Sequence, residues 1–265
     1  MVDEDPRKIK VGALVVGSEI LLGRTRDTNT VFLAEQLFKK GLRLKRWVIV
    51  PDLESDISRE LNRFIEDGYD IIVISGGMGP THDDITVEAV ARTLGTGLIH
   101  NERSLQRMYN KWRAWNPGKE LPKSGMAGFK KMAMAPRNFE PIENQEGMVE
   151  GLMGTTEEGS SLIFILPGVP NEYKGIVGTH KFQDHLPPGH AGEMEIKEIL
   201  FKGRESRIAS YLNALQGKFP NLDIGSYPQG PMKVTVRLIG DRASIENAEV
   251  KVKRKIEELE GSADS

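Results

Sequence analysis

Residues 70–86, DIIVISGGMGPTHDDIT, constrain the fold more than any other stretch, because an apolar run stops at glycines and carboxylates follow at once. Ile71, Ile72, Val73 and Ile74 form the continuous apolar run of a parallel strand covered on both faces. Gly76, Gly77 and Gly79 permit backbone conformations closed to other residues and leave no side chain to block a ligand. Thr81 with Asp84 three residues on reads as a helix cap, and Val87, Val90, Ala91 and Leu94 recur at helical spacing. The free amides of such a helix end favour an anion over the glycine turn, phosphate above all. Asp83 and Asp84 would repel phosphate unless a divalent cation lay between, so the composition points to phosphate held with a hard metal ion. The alternative is a tight strand-to-helix turn whose acids suit the helix dipole, and a glycine turn alone does not choose between them.

The residues before this stretch have the same pattern. Residues 10–20, KVGALVVGSEI, read as a first buried strand ending in a polar turn. The adjoining GRTRDTN places Asp27, Thr28 and Asn29 ahead of a helix with apolar face Leu33, Ala34, Leu37 and Phe38, closed by Gly41. Those three residues suit a helix cap, and ligand contact is the competing role. Residues 42–50 make a second strand, ended by Pro51 and Asp52, and Ile57, Leu61, Phe64 and Ile65 mark the helix that leads into residues 70–86. Strand–helix alternation with short connections builds a parallel sheet covered on both faces. In that architecture ligands gather at strand carboxyl ends near a topological switch point. Residues 18–29, Asp52 and residues 76–84 all fall at such ends.

Residues 101–137 depart from this pattern. Leu105, Met108, Trp112 and Trp115 fit a helix stripe, while Pro117, Gly118, Pro122, Gly125 and Gly128 are expected to break the remainder of the segment into loops. From Arg103 to Arg137 there are nine Lys or Arg against one acid, Glu120, in a chain of formal net charge −2. One reading is a flap over a phosphorylated ligand with Lys130 or Lys131 nearest. The other is a solvated helix face whose tryptophans belong to the core or a subunit contact. After an expected irregular patch at 138–160, the strand SLIFIL runs into Pro167, Gly168 and Pro170, another tight turn at a strand carboxyl end. Asn171 and Glu172 then read as the start of a helix.

Length and charge bound the rest. The 265 residues suffice for one good core and a smaller second one, divided as 1–178, a linker over 179–192 rich in Pro, Gly and His, and a small α+β domain over 193–265. His180, His185 and His190 do not share a helix face as a zinc helix requires. The balanced charge gives no case for nucleic acid or an anionic membrane, and the absence of cysteine excludes disulfides and thiolate chemistry. No apolar run reaches the roughly 20 residues of a membrane helix, and MVDEDPRKIK is charged rather than signal-like, so a cytoplasmic location is expected.

The series GSEILLGRTRDTN, VPDLESDI, SGGMGPTHDDITVEAV, KMAMAP and ILPGVPNE resembles, in order, the molybdopterin-binding-like domain of the competence-damage-inducible (CinA) family. The resemblance runs from about Val11 to Ile176, and residues 192–259 more weakly resemble the small α+β domain that comes after it. It implies a three-layer, mostly parallel α/β sheet whose site takes a phosphorylated pterin or nucleotide. It further implies that Asp52 and Asp84 match acids important for activity, that Gly76, Gly77 and Gly79 match the phosphate or pterin loop, and that Pro167, Gly168 and Pro170 match a second pocket loop. Two positions depart from the family: Ser18 stands where an acid usually precedes Glu, and Glu150 where proline usually precedes Gly151. The deamidase domain that ends full-length bacterial members has no counterpart in these residues, and its activity is not expected.

The expected ligand-lining set is therefore Gly17, Ser18, Glu19, Asp27, Asn29, Gly76, Gly77, Met78, Gly79, Pro80, Thr81, Pro167, Gly168 and Pro170. Asp84, Asp52 and Lys131 are the expected catalytic groups, and Asp83, Asp84 and Asp52 the expected ligands of a divalent ion (Mg, Mn, Co or Ni). Three functions compete: metal-dependent hydrolysis of a nucleotide pyrophosphate such as ADP-ribose, an activity the resemblance implies; molybdopterin binding or adenylylation; and a noncatalytic oligomeric binding module. The expected partners are a small nucleotide or pterin and further copies of the chain, as a dimer or trimer.

Overall fold

The computed structural model describes residues 9–187 and 194–261. These fall into two compact units, residues 9–37 with 42–187 and residues 38–41 with 194–261. In the first, β1 (Val11–Val16), α1 (Ser18–Leu21), α2 (Asn29–Lys39), β2 (Leu44–Val50), α3 (Glu54–Glu66), β3 (Ile71–Ser75) and α4 (Thr86–Thr93) form the alternating half. The second half adds β4 (Leu98–His100), α5 (Glu102–Trp115), α6 (Lys123–Met132), β5 (Met134–Pro136), β6 (Glu140–Ile142), β7 (Gly151–Thr155), β8 (Leu162–Leu166), α7 (Pro170–Val177) and α8 (His180–Gln183).

Six strands share one sheet in the order β2-β1-β3-β8-β7-β6. The first four are parallel, with Gly12 beside Ile72 and Ile72 beside Ile163, and β7 and β6 are antiparallel. The mostly parallel α/β class expected from the sequence is the class found. Side chains alternate across each strand, and this sorts the core into two layers. Leu14, Ile72, Ile74, Ile163 and Ile165 pack against Ile57, Leu61 and Phe64 of α3 and Val87 and Val90 of α4. Val11, Ala13, Val73, Phe164 and Leu166 pack on the other face against Leu33 and Leu37 of α2 and Tyr173, Ile176 and Val177 of α7. Because β2 and β3 lie on opposite sides of β1, the chain reverses its direction of winding there, and the crevice opens at the carboxyl ends of β1 and β3.

Several expectations need correction. The helix after the glycine turn starts at Thr86, with Ile85 as its cap residue, and not at Thr81. Residues 123–132 are helical despite Gly125 and Gly128, because those glycines make room: a Cβ at 128 would lie 2.9 Å from Pro80 and one at 125 would lie 2.7 Å from Leu121. The patch at 138–160 holds β6 and β7. Gly151 and Gly154 hide β7 from a propensity reading, since a Cβ at 151 would meet Leu166 and one at 154 would meet Phe139. Within the expected linker, α8 is folded and Phe182 and Leu186 are buried in the first unit's core. Residues 188–193, with His190, lie outside the described residues.

The second unit comprises β9 (Met194–Phe201), α9 (Ser206–Lys218), β10 (Asp223–Gly230), β11 (Lys233–Asp241) and α10 (Arg242–Gly261), with an antiparallel sheet in the order β10-β11-β9. Phe201, Ile208, Leu212, Val236, Leu238 and Val252 form its core. The edge strand β10, DIGSYPQG, is not evident in the sequence, since Pro228 and two glycines disguise it. Among the described residues no helix is long and apolar enough to cross a membrane.

Candidate functional site

A cleft of about 670 Å³ opens at the strand carboxyl ends, bounded by Val15 and Val16 of β1, Ser75 of β3 and Pro167 after β8. Three loops build it, and their glycines serve backbone geometry. Gly76 sits at φ +94, where a Cβ would be 2.1 Å from the Val16 carbonyl oxygen, so the end of β3 closes directly on the end of β1. Gly77 sits at φ +62 against Thr86, and a Cβ at Gly168 would lie 3.3 Å from the Gly76 Cα, so the two turns are in contact. Among the described residues no acceptor takes the amides of Gly77, Met78 or Gly79. At the start of α4 the Thr86 N–H is already taken, donating to the Gly77 carbonyl at 3.1 Å.

The carboxylates are placed by local bonds. Asp52 Oδ2 accepts from the Ser18 backbone N–H and hydroxyl, both at 2.8 Å. Serine at 18 thus binds Asp52 where an acid would repel it. Thr81 donates through its N–H to Asp84 Oδ2 at 2.9 Å, and its hydroxyl lies 2.5 Å from both Asp84 Oδ2 and Asp83 Oδ1. That turn closes on itself, which is why Thr81 does not cap the helix. The Thr81 hydroxyl also holds the Asp83 carboxyl below its ordinary range. Gly79 is required because the Asp84 carboxylate lies over it, 2.6 Å from where a Cβ would stand.

On the other side, Asp27 Oδ1 caps α2, accepting from Asn29 N at 2.9 Å and Thr30 N at 3.0 Å. Asn29 Nδ2 donates to the Gly168 carbonyl at 2.8 Å and ties this loop to the third one. Asp27 Oδ2 and Asn29 Oδ1 are buried and have no hydrogen-bond partner among the described residues. Glu172, on the first turn of α7, also lines the cleft. Burial holds its carboxyl above the usual range, while Asn144 donates to it at 3.0 Å. Asn144 is fully buried and saturated, also donating to the Val149 carbonyl and accepting from Glu146 N and Gly147 N.

Of the expected residues, Glu19, Asp27, Asn29, Asp52, Gly76, Gly77, Met78, Gly79, Pro80, Asp83, Asp84, Pro167, Gly168 and Pro170 line this cleft. Gly17, Ser18, Thr81 and Lys131 do not. Lys131 Nζ instead donates to the Thr81 carbonyl at the rim. From the basic segment only Met132 lines the cleft, so the expected flap of positive charge is a correction: Arg107 pairs with Glu150 and Glu143, and Lys111 binds three carbonyls of residues 144–147. Glu150, the second departure from the family pattern, is held there by Arg107 and by the Ser104 hydroxyl. Arg26, the one cation among the described lining residues, falls in the 18–29 stretch expected at a strand carboxyl end but not in the expected ligand-lining set, and Glu172 is expected only as a helix start.

The donor set fits a divalent ion shared with a ligand. Asp52, Asp83, Asp84 and Glu19 offer only oxygen, as hard cations prefer, yet among the described residues no three such groups converge into a preformed cage. An ion held by one or two carboxylates and completed by ligand phosphates matches that arrangement.

Comparisons with known proteins agree with this architecture. The family model described as "Probable molybdopterin binding domain" matches residues 12–182, and that of the FAD synthase middle domain matches residues 193–260. A protein of Aeropyrum pernix is 33% identical over 98% of this chain and 97% of its own length. A CinA-like protein of Mycobacterium tuberculosis is 33% identical over 81% of this chain and 51% of its own length. The crystal structure of the protein CinA, of unknown function, from Thermoplasma acidophilum is 32% identical, with a TM-score of 0.59, over 68% of this chain and 99% of that one. With the three loops in place at the strand carboxyl ends, the chain belongs to the CinA-type molybdopterin-binding-like family.

Proposed function

We propose that the cleft binds a small phosphorylated nucleotide or pterin together with a divalent cation, and that the chain hydrolyses a nucleotide pyrophosphate such as ADP-ribose. One observation carries this reading: the unpartnered amides of Gly77, Met78 and Gly79 lie in the same cleft as Asp52, Asp83 and Asp84. Consecutive free amides bind phosphate oxygens, and the carboxylates beside them would oppose that phosphate without a cation between. Carboxylate and water oxygens suit Mg and Mn, and Co and Ni are the other ions to compare. A divalent ion bound there would polarise the phosphoryl oxygens and lower the pKa of an attacking water. The chain's own part is to hold the phosphates on the loop amides, position the carboxylates through Ser18 and Thr81, and offset charge on the leaving phosphate through Arg26. In the balanced reaction, water oxygen bonds one phosphorus, the bridging P–O bond breaks, and two phosphate monoesters leave with the water protons. Molybdopterin binding or adenylylation is the second reading, favoured by the description of the family model that spans residues 12–182.

The test is a turnover screen of purified protein with ADP-ribose, FAD and related dinucleotides, with each metal and with chelator, beside molybdopterin plus ATP. Metal-dependent release of nucleoside monophosphate is expected, falling about a hundredfold or more in Asp84→Asn paired with Asp83→Asn. Formation of an adenylylated pterin without hydrolysis would select the second reading. Ligand binding with neither reaction would leave a noncatalytic binding module. The proposal extends to self-association as a dimer or trimer, supported by the exposed Leu21, Leu22, Leu53 and Val169 and tested by light scattering.

A further inference from the structure

Resting on the reading of the cleft as a phosphorylated-ligand site, the two loops on its α2 and α7 side carry a second, different recognition element. Asn29 is 6% exposed. Its Nδ2 is committed to the Gly168 carbonyl, and the remaining Oδ1 is buried without a partner among the described residues. Asp27 is committed the same way: Oδ1 holds two α2 amides, while Oδ2 is buried and unpartnered. Both residues line the cleft. A buried acceptor without a donor loses its hydration and receives nothing back. Two such acceptors, two residues apart in a single capping turn, are therefore explained by a ligand that donates to both.

The placement fixes which part of the ligand this is. α2 and α7 pack on one face of the sheet, and α3 and α4, whose approaches carry Asp52, Asp83 and Asp84, pack on the other. Across the carboxyl edge, one side thus offers loop amides and carboxylates suited to phosphate with a cation, and the other offers the buried acceptors of Asp27 and Asn29 beside Thr25, Arg26 and Thr28, with Glu172 a further carboxyl on the same side.

We propose that Asp27 Oδ2 and Asn29 Oδ1 form a donor-reading subsite that takes two adjacent O–H or N–H groups of the ligand's non-phosphate end. Two sources share that chemistry: the cis-diol of a ribose, and the amino and ring N–H edge of an aminopyrimidinone such as guanine or a pterin.

Calorimetric titration with defined probes tests the subsite. Inorganic pyrophosphate with Mg²⁺ reports the phosphate side alone. ADP against 2′,3′-dideoxy-ADP removes the diol, and GDP against IDP removes the exocyclic amino group. The proteins are the parent, Asp27→Asn and Asp27→Ser. Each variant keeps an oxygen to cap α2, and the second covers the case in which the first folds poorly. In the parent, one of the two deletions weakens binding about tenfold or more, and the responding pair identifies the source. In both variants that difference falls to within about twofold, while pyrophosphate affinity is unchanged. If pyrophosphate binds but neither deletion matters in the parent, or the difference persists in the folded variants, the subsite is refuted and the phosphate reading stands. If neither pyrophosphate nor any nucleotide binds, the cleft reading falls and the subsite with it.

Discussion

Gly79→Ala separates two explanations of the glycine turn, ligand access and room for Asp84. Gly79 does not occupy the positive-φ region, so alanine fits the backbone there. The new Cβ would stand 2.6 Å from Asp84 Oδ2 and 3.0 Å from its Cγ, and the carboxylate must move. Moving it breaks its bonds from Thr81 N and Oγ1. A hydrogen bond to a charged group is worth about 1.5–3 kcal/mol, and the exposed position puts this one at the low end. Alanine returns about 0.4–1 kcal/mol by restricting the unfolded chain. The net loss is about 1 kcal/mol, or a Tm lower by about 3 °C for a unit of this size. In an Asp84→Ala background the obstacle is gone, and Gly79→Ala should raise Tm by about 1–2 °C. Thermal melts of the four proteins measure a coupling of about 1.5 kcal/mol. Equal shifts in both backgrounds would refute the packing of Asp84 over Gly79.

Three further outcomes rest on single side chains. Gly76→Ala combines φ +94 with a Cβ 2.1 Å from the Val16 carbonyl and should cost at least about 3 kcal/mol in urea melts, because backbone on both sides prevents relief. Asn144→Leu strands two amides and one carbonyl around a fully buried site and should lower Tm by about 10 °C; a drop under about 2 °C would mean that loop carries little weight. Glu172→Gln gives a pH signature: since burial raises the folded carboxyl above the unperturbed 4.5, the ionised side chain subtracts stability above the folded pKa, and that deficit is relieved as pH falls through it. The variant should therefore melt above the parent at about pH 7, with the gap closing on acidification below 4.5.

Legibility in the sequence tracks how local each cause is. β1, β3 and β8 announce themselves because burial on both faces demands continuous apolar runs, and the first two loops are readable because glycine and acid composition records backbone need and charge. α6 and β7 are not readable. Gly128, Gly151 and Gly154 admit Pro80, Leu166 and Phe139, partners that no local window contains, so propensity points to loops. The start of α4 fails for a similar reason: Thr81 and Asp84 have the spacing of a cap, but they bond to each other. Glu172 is held in the cleft in part by the buried Asn144, which is 28 residues away in sequence.

The basic segment shows the same distinction at the level of function, and it supports a last prediction. Its charge excess reads as a cover for phosphate, yet α5 spends Arg107 and Lys111 on residues 143–150. Lys111 Nζ donates to the carbonyls of Asn144, Gln145 and Gly147 at 2.8, 2.8 and 2.9 Å. Asn144 in turn holds Glu172, and Met148 and Val149 of the same loop line the cleft. The segment therefore acts on the site through the loop it clamps. Burial lifts the Glu172 carboxyl, and the charges of Lys111 and Arg107 act against that lift. Lys111→Met keeps the apolar stem and removes the charge, so burial acts with less opposition and Glu172 should titrate at higher pH than in the parent. Carbon-detected NMR of the Glu172 carboxyl, assigned by comparison with Glu172→Gln, reads the shift directly. An unchanged or lower midpoint in the folded variant would show that α5 does not reach the cleft electrostatically, and the segment would then be a structural brace alone.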